Sequence, residues 1–144
     1  MCKMDDPYLL IPDLVSYNHY FGWYGGDTSM NGPWFDKLHQ THPNIPIGYS
    51  EYGCEALNWH TSDPKQGDYT EEYQAYYHEE LIKQLFTRKY IWATHVWNMF
   101  DFGADARSEG GEKNRVDLKS ISRAEASAAL CRCWAASAFS VSQA

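Results

Sequence analysis

Glu51, Tyr20, Asn18 and Trp97 are the residues of this chain whose types and spacing could do chemistry. Glu51 ends an apolar run and is followed by Tyr52-Gly53, a step into a loop, so its carboxylate is placed to point into a pocket at the mouth of a sheet. Asn18 and Tyr20 follow a second short apolar run, and Trp97 closes a third. A carboxylate, a phenol, an amide and an indole converging on one rim are what glycosyl transfer requires. The carboxylate attacks an anomeric carbon, donors orient it, polar groups grip hydroxyls, and an aromatic face stacks on the sugar ring. Packing roles are also open to the same residues: a strand-end glutamate can bond loop amides, and Asn18 and Tyr20 can serve a turn.

The elements that must position these residues are legible as periodic segments. Residues 14–17, 45–50 and 91–97 are short apolar runs that read as buried strands. Asn31-Gly32-Pro33 is a helix start signal ahead of residues 34–39, proline being suited to a first helical turn. Asp68, with Glu71 three residues on, reads as the capping box of a second helix. Tyr73, Tyr77, Leu81 and Leu85 form its apolar stripe, widened by Ile82 and Phe86; Glu79 and Lys83 form an i,i+4 pair, and Arg88 and Lys89 suit its C-terminal end. The order strand, helix, strand, helix, strand, with strand centres about 32 and 46 residues apart, leaves room for parallel crossovers. Near-continuous apolar strands predict a parallel sheet covered on both faces. In such α/β folds the chemistry sits at the C-terminal ends of the strands, which is where all four residues fall.

Composition narrows the function. Of 144 residues, 19 are Asp or Glu and 12 are Lys or Arg, a net charge of −7, and so acidic a balance argues against nucleic acid as a main partner. No apolar run approaches the ~20 residues of a membrane span, so no membrane partner is expected. The first dozen residues hold no apolar stretch of signal-peptide length. Six Trp, eleven Tyr and six Phe make 16% of the chain aromatic, which suits a surface that stacks on sugars as well as an aromatic core. Cys2 and Cys54 stand alone, and Cys131-Arg132-Cys133 has no second pair to complete a zinc site. With no metal-binding histidine spacing and no nucleotide loop, neither a metal nor a cofactor is expected. Near residue 112 the composition breaks: five Ala and six Ser in residues 1–120 give way to eight Ala and five Ser in residues 121–144.

The stretches Ser16-Tyr17-Asn18-His19-Tyr20-Phe21-Gly22-Trp23-Tyr24, Ser50-Glu51-Tyr52-Gly53, Thr70-Glu71-Glu72-Tyr73-Gln74 and His95-Val96-Trp97-Asn98-Met99-Phe100-Asp101-Phe102 resemble glycoside hydrolase family 2, in order and in spacing, across residues 13–111. The resemblance implies an α/β fold of parallel strands, the last few β/α units of the family's (β/α)8 TIM barrel. It implies that Glu51 is the nucleophile that forms the covalent glycosyl-enzyme intermediate of a retaining mechanism, and that Tyr20 hydrogen-bonds it. Asn18 then lies beside the sugar and Trp97 lines its subsite. Residues 97–102 and 104–111 are most similar to β-galactosidases, which makes a β-galactoside the first expectation for the carbohydrate substrate. β-Glucuronidases share much of the pattern. Members of the family are often homo-oligomers and need no redox cofactor.

Two departures bear on activity. A retaining mechanism needs a second carboxyl, as general acid/base, about 5–5.5 Å from the nucleophile. In the family this is the Glu of an Asn-Glu pair, and no Asn-Glu occurs in this chain. Asp13 lies at the wrong end of its strand, and Asp101 and Asp105 follow the last one. Beyond Gly111, residues 112–119 only partly echo the family, and the Ala/Ser-rich tail does not resemble it. The expected division is therefore a barrel segment, 1–112, and a divergent tail, 113–144, unrelated to the barrel or disordered, with a frameshift near residue 113 as the explanation. A fragment of this kind is expected to be nearly inactive alone. The competing readings are a non-catalytic carbohydrate-binding chain and an inactive gene remnant.

Overall fold

The structure, a computed structural model, describes residues 3–57, 69–98 and 100, and the backbone of 102–103 and 116–117. Asp68, Asp101, Asp105, residues 104–111, Cys2, Cys131, Cys133 and the tail apart from Val116–Asp117 lie outside the described residues.

Strand β1 (Val15–Asn18) is preceded by a 3-10 turn at Pro7–Leu10, where Asp6 accepts a hydrogen bond from the Tyr8 amide. After a loop of aromatic residues, Asp27 caps a 3-10 turn at Thr28–Met30 that runs directly into helix α1 (Asn31–Thr41). Asn31-Gly32-Pro33 thus opens α1 as expected, with Pro33 in its first turn. Strand β2 (Ile47–Tyr52), helix α2 (Glu71–Leu85) and strand β3 (Ile91–Val96) complete the main unit. Strands β4 (Phe102–Gly103) and β5 (Val116–Asp117) form a separate antiparallel pair.

The main sheet has the order β1-β2-β3, both pairings parallel. Val15 stands beside Ile47 and Asn18 beside Glu51; Ile47 stands beside Ile91 and Tyr52 beside Val96. The α/β reading with parallel crossovers therefore holds for this part of the chain, and it has the form of part of a TIM barrel.

Both helices pack on one face of the sheet. Tyr49 of β2 meets Phe35 of α1 edge-on at 4.9 Å and stacks on Tyr52 at 4.9 Å, and Tyr52 meets His78 of α2 at 6.0 Å. Val15, Tyr17, Ile47, Leu38, Tyr73, Tyr77, Leu81 and Leu85 join this core. The other face is open along β1, where Ser16 and Asn18 are exposed, and at Trp92 and His95 of β3. The expectation of cover on both faces is thus not met within the described residues. In a closed barrel that second face is filled by side chains from the remaining strands. The outer edges of β1 and β3 carry no neighbouring strand among the described residues, and exposed apolar side chains (Tyr8, Leu10, Ile11, Leu14) gather near the β1 edge.

Three local expectations for α2 change. Its cap is Thr70, whose hydroxyl accepts from the Tyr73 amide at 3.1 Å, not Asp68. The close ion pair of Lys83 is with Glu80 at 2.7 Å, three residues back, and Glu79 adds a longer-range attraction. Phe86 does not widen the stripe: the helix ends at Leu85 and the ring is 61% exposed.

Arg88, read as a helix-end charge, does more. Its guanidinium donates to both Asp36 carboxylate oxygens, at 2.9 and 2.7 Å, and Tyr90 donates to Asp36 as well. The clasp ties α1 to the end of α2, and Gly32 beneath it leaves no room for a Cβ against the guanidinium. The Arg88 hydrogen bonds hold the Asp36 carboxyl below the usual carboxylate range. Because the pair is partly solvated, Asp36→Asn is expected to lower stability by only about 1 kcal/mol, as read by the urea midpoint at pH 7.

Candidate active site

Glu51 reaches the C-terminal rim because β2 continues past the bulge between Tyr49 and Tyr52, with Tyr52 on the helix side of the sheet. Its carbonyl accepts from the His19 amide at 3.0 Å, which fastens the start of the β1 loop to this strand. Two residues into the loop, the Tyr20 hydroxyl donates to Glu51 Oε2 at 2.9 Å. This contact brings together two of the four residues singled out from sequence. The bond fixes the rotation of the carboxyl and leaves Oε1 as the oxygen for an incoming group.

Asn18 is Glu51's partner across the strand pair, yet its side chain turns to Ser50, whose hydroxyl donates to Asn18 Oδ1 at 2.7 Å. The Asn18 amide nitrogen is the end of the side chain left to bind another group. Trp97 follows β3, and its amide donates to the Tyr52 carbonyl at 2.8 Å, so it stands at the same rim beside the residue that follows Glu51. The Trp97–Asn98 peptide is cis. Gly53 has no Cβ for a plain reason: one would collide with the Trp97 carbonyl oxygen. Asn18, Glu51 and Trp97 thus stand at the C-terminal ends of three adjacent strands, and Tyr20 reaches in from the first loop.

The loop carrying Tyr20 is held by buried polar groups. Tyr73 of α2 donates to the Gly22 carbonyl, and Asn31 Nδ2 donates to the carbonyls of Phe21 at 3.1 Å and Thr28 at 2.9 Å. Gly22 has a φ of +94°, and a Cβ there would strike the Thr28 side chain. His19 is enclosed by Tyr17, Phe21, Trp34, Phe35 and Tyr49, and this burial lowers its pKa to about 4. At neutral pH it therefore brings no positive charge to the rim. A cleft of about 690 Å³ runs along the edge of β1, lined by Tyr8, Pro12 and Leu14 among others, with Asn18 in its lining.

Two features of the neighbourhood were not legible from spacing. Glu55, 1% exposed, is a buried carboxyl in the loop after β2. The polar anchoring of the Tyr20 loop was hidden because Tyr49 and Asn31 read as a strand residue and a helix start. A tyrosine at an inward strand position was the available signal, since a buried hydroxyl generally finds a partner. Among the described residues no cluster of His, Cys, Asp or Glu is arranged to hold a metal ion, and no helix is long and apolar enough to cross a membrane.

A parallel α/β sheet with a phenol-bonded carboxylate at its C-terminal rim is consistent with part of a (β/α)8 barrel. Comparison with known proteins sharpens this. No family model matches the chain. A β-glucuronidase from Bacteroides fragilis is 42% identical over 106 residues, 69% of this chain and 15% of that protein. The structure of an FMN-binding β-glucuronidase from Faecalibacterium prausnitzii L2-6 is 52% identical, with a TM-score of 0.78, over 83% of this chain and 18% of that one. Bacteroides uniformis β-glucuronidase 2, solved covalently bound to cyclophellitol-6-carboxylate aziridine, is 34% identical, with a TM-score of 0.74, over 79% and 14%. The chain matches a fragment of glycoside hydrolase family 2, the family of these relatives. It spans less than a fifth of the length of each.

Proposed function

We propose that this chain carries the nucleophile half of a retaining β-glycosidase site, with Glu51 as the nucleophile. The observation that carries the reading is the Tyr20–Glu51 hydrogen bond at the C-terminal rim of a parallel sheet. In the first step Glu51 Oε1 attacks the anomeric carbon and the aglycone leaves with the bonding electron pair; in the second, water attacks the same carbon and Glu51 departs as a carboxylate. The Tyr20 hydroxyl orients the carboxylate for the first step and stabilises it as it is released in the second. Asn18 Nδ2 grips a sugar hydroxyl, and Trp97 provides the apolar wall.

The acid that protonates a natural leaving group comes from a part of the barrel beyond this chain. Since positioned acid catalysis is worth ~10²–10⁴-fold, the chain alone is expected to turn over natural glycosides very slowly. A fluoride leaving group needs no such acid. A 2-deoxy-2-fluoroglycosyl fluoride should therefore label Glu51 even here, and intact-mass analysis reads the adduct.

Regarding the glycone, the relatives named above are glucuronidases, so a β-glucuronide is placed first. The β-galactoside reading rests on the similarity of residues 97–102 and 104–111, and it stands second. Competing the glucuronyl and galactosyl forms of the fluorosugar decides between them: faster labelling by the galactosyl form would reverse the order. Tyr20→Phe is expected to slow labelling ~10–100-fold, the value of one hydrogen bond to a charged group. An unchanged rate in Tyr20→Phe would remove Tyr20 from the mechanism.

A further inference from the structure

We propose that Tyr49 and Asn31 are positioning residues that set the Tyr20 hydroxyl on Glu51 by holding the backbone on both sides of Tyr20. The inference rests on the roles proposed above for Tyr20 and Glu51. Neither Tyr49 nor Asn31 is accessible to a sugar: both are 0% exposed. The Tyr49 hydroxyl lies 2.7 Å from the His19 carbonyl and 2.8 Å from Asn31 Oδ1, one proton shared between two acceptors. The Asn31 amide nitrogen then donates to the Phe21 carbonyl at 3.1 Å and the Thr28 carbonyl at 2.9 Å. His19 and Phe21 are the two neighbours of Tyr20. One buried pair therefore clamps the peptide units that flank the residue whose phenol meets the carboxylate.

Packing alone does not account for these two side chains. Tyr49 lies edge-on to Phe35 and stacks on Tyr52, and a phenylalanine would make both contacts without burying a hydroxyl. Burying a hydroxyl is costly unless it is used. Asn31 opens α1, yet its amide does not cap that helix, and it turns back to the loop instead. The reversed amide orientation is excluded by chemistry: it would set Oδ1 against two carbonyl oxygens, those of Phe21 and Thr28. Burial also pushes the Tyr49 hydroxyl well above the ordinary tyrosine range, so it remains a donor.

The test is a ¹³C NMR spectrum of the 144-residue chain carrying [4-¹³C]tyrosine, with the Tyr20 Cζ signal assigned by its absence in Tyr20→Phe. Glu51→Gln gives the shift produced when the carboxylate is lost. Tyr49→Phe and Asn31→Ala are each expected to move the Tyr20 signal in that same direction, by at least half as much. Tyr90→Phe, whose hydroxyl serves the Asp36 clasp, should leave it in place. A Tyr20 signal at the wild-type position in folded Tyr49→Phe, or in Asn31→Ala should Tyr49→Phe not fold, overturns the proposal.

Kinetics supply the second arm. Tyr49→Phe should slow fluorosugar labelling ~10-fold and slow it no further in a Tyr20→Phe background, because one acts through the other. Equal, multiplicative losses in the two backgrounds would show that Tyr49 does not act through Tyr20. Failure of the wild-type chain to take any label would overturn the functional reading instead, while the NMR comparison would still decide the positioning.

Discussion

A Glu51→Gln chain is expected to keep its fold and to lose covalent capture of an activated fluorosugar by on the order of 10³-fold or more, the loss that accompanies removal of a nucleophile. Glutamine has nearly the same shape. The Glu51 side chain is only partly buried, and its backbone bond with His19 does not involve the carboxyl. The Tyr20 hydroxyl can still donate to an amide oxygen, so the loop has no reason to move. Stability should change by less than about 1 kcal/mol, in the range of partly exposed substitutions. An amide, however, does not form the acylal-type ester bond to an anomeric carbon that a carboxylate forms. Matching circular dichroism with a mass shift in wild type and none in Glu51→Gln is the expected pair of results. Undiminished labelling of Glu51→Gln would transfer the chemistry to another residue.

The second large effect is on stability in mild acid. His19 and His78 are both buried among aromatic rings, and desolvation lowers each pKa from 6.5 to about 4. Tyr52 and Tyr77 flank His78, and neither histidine has a hydrogen-bond partner for Nε2 among the described residues. Between pH 6.5 and 4 the unfolded chain takes up protons that the folded chain refuses. Stability is therefore complete above pH 6.5, falls as the pH drops toward 4, and levels off below that. For His78, 5% exposed, the loss is on the order of 3 kcal/mol. That is a large part of the 5–15 kcal/mol typical of a domain. Asp36 contributes in a lower window, because its depressed carboxylate pKa holds the clasp until the pH falls below the usual carboxylate range. Urea midpoints between pH 7.5 and 4 check this, and His78→Leu should flatten the slope. A wild-type midpoint independent of pH over that span would contradict the buried, neutral state of these imidazoles.

The sequence displayed the candidate rim more fully than the scaffold around it. Strand ends are marked by short apolar runs, so Asn18, Glu51 and Trp97 could be assigned to one rim from the sequence, and three neighbouring strands do end there. The Tyr20–Glu51 contact joins residues 31 apart, and only the family resemblance pointed to it. Features that depend on three-dimensional neighbours were not legible. Asp68 with Glu71 looks like a capping box, but Thr70 lies nearer the first helical turn and takes the amide. Continuous apolar strands suggested a sheet covered on both faces, whereas the described helices cover one. Residues such as Trp92 and Leu14 are apolar and exposed among the described residues, and an unpaired strand edge has the same composition as a buried one. Tyr49 and Asn31 were hidden because, apart from the bond between them, their partners are backbone carbonyls, which no residue type marks.

The most direct test of the central reading is to locate the covalent bond. The wild-type chain is incubated with the glucuronyl and galactosyl 2-fluoroglycosyl fluorides and digested, and the labelled peptide is fragmented in a mass spectrometer. The account predicts a single adduct on the Glu51 side chain, formed with either or both probes. An adduct on Glu55 or any other residue, with Glu51 unmodified, would contradict it.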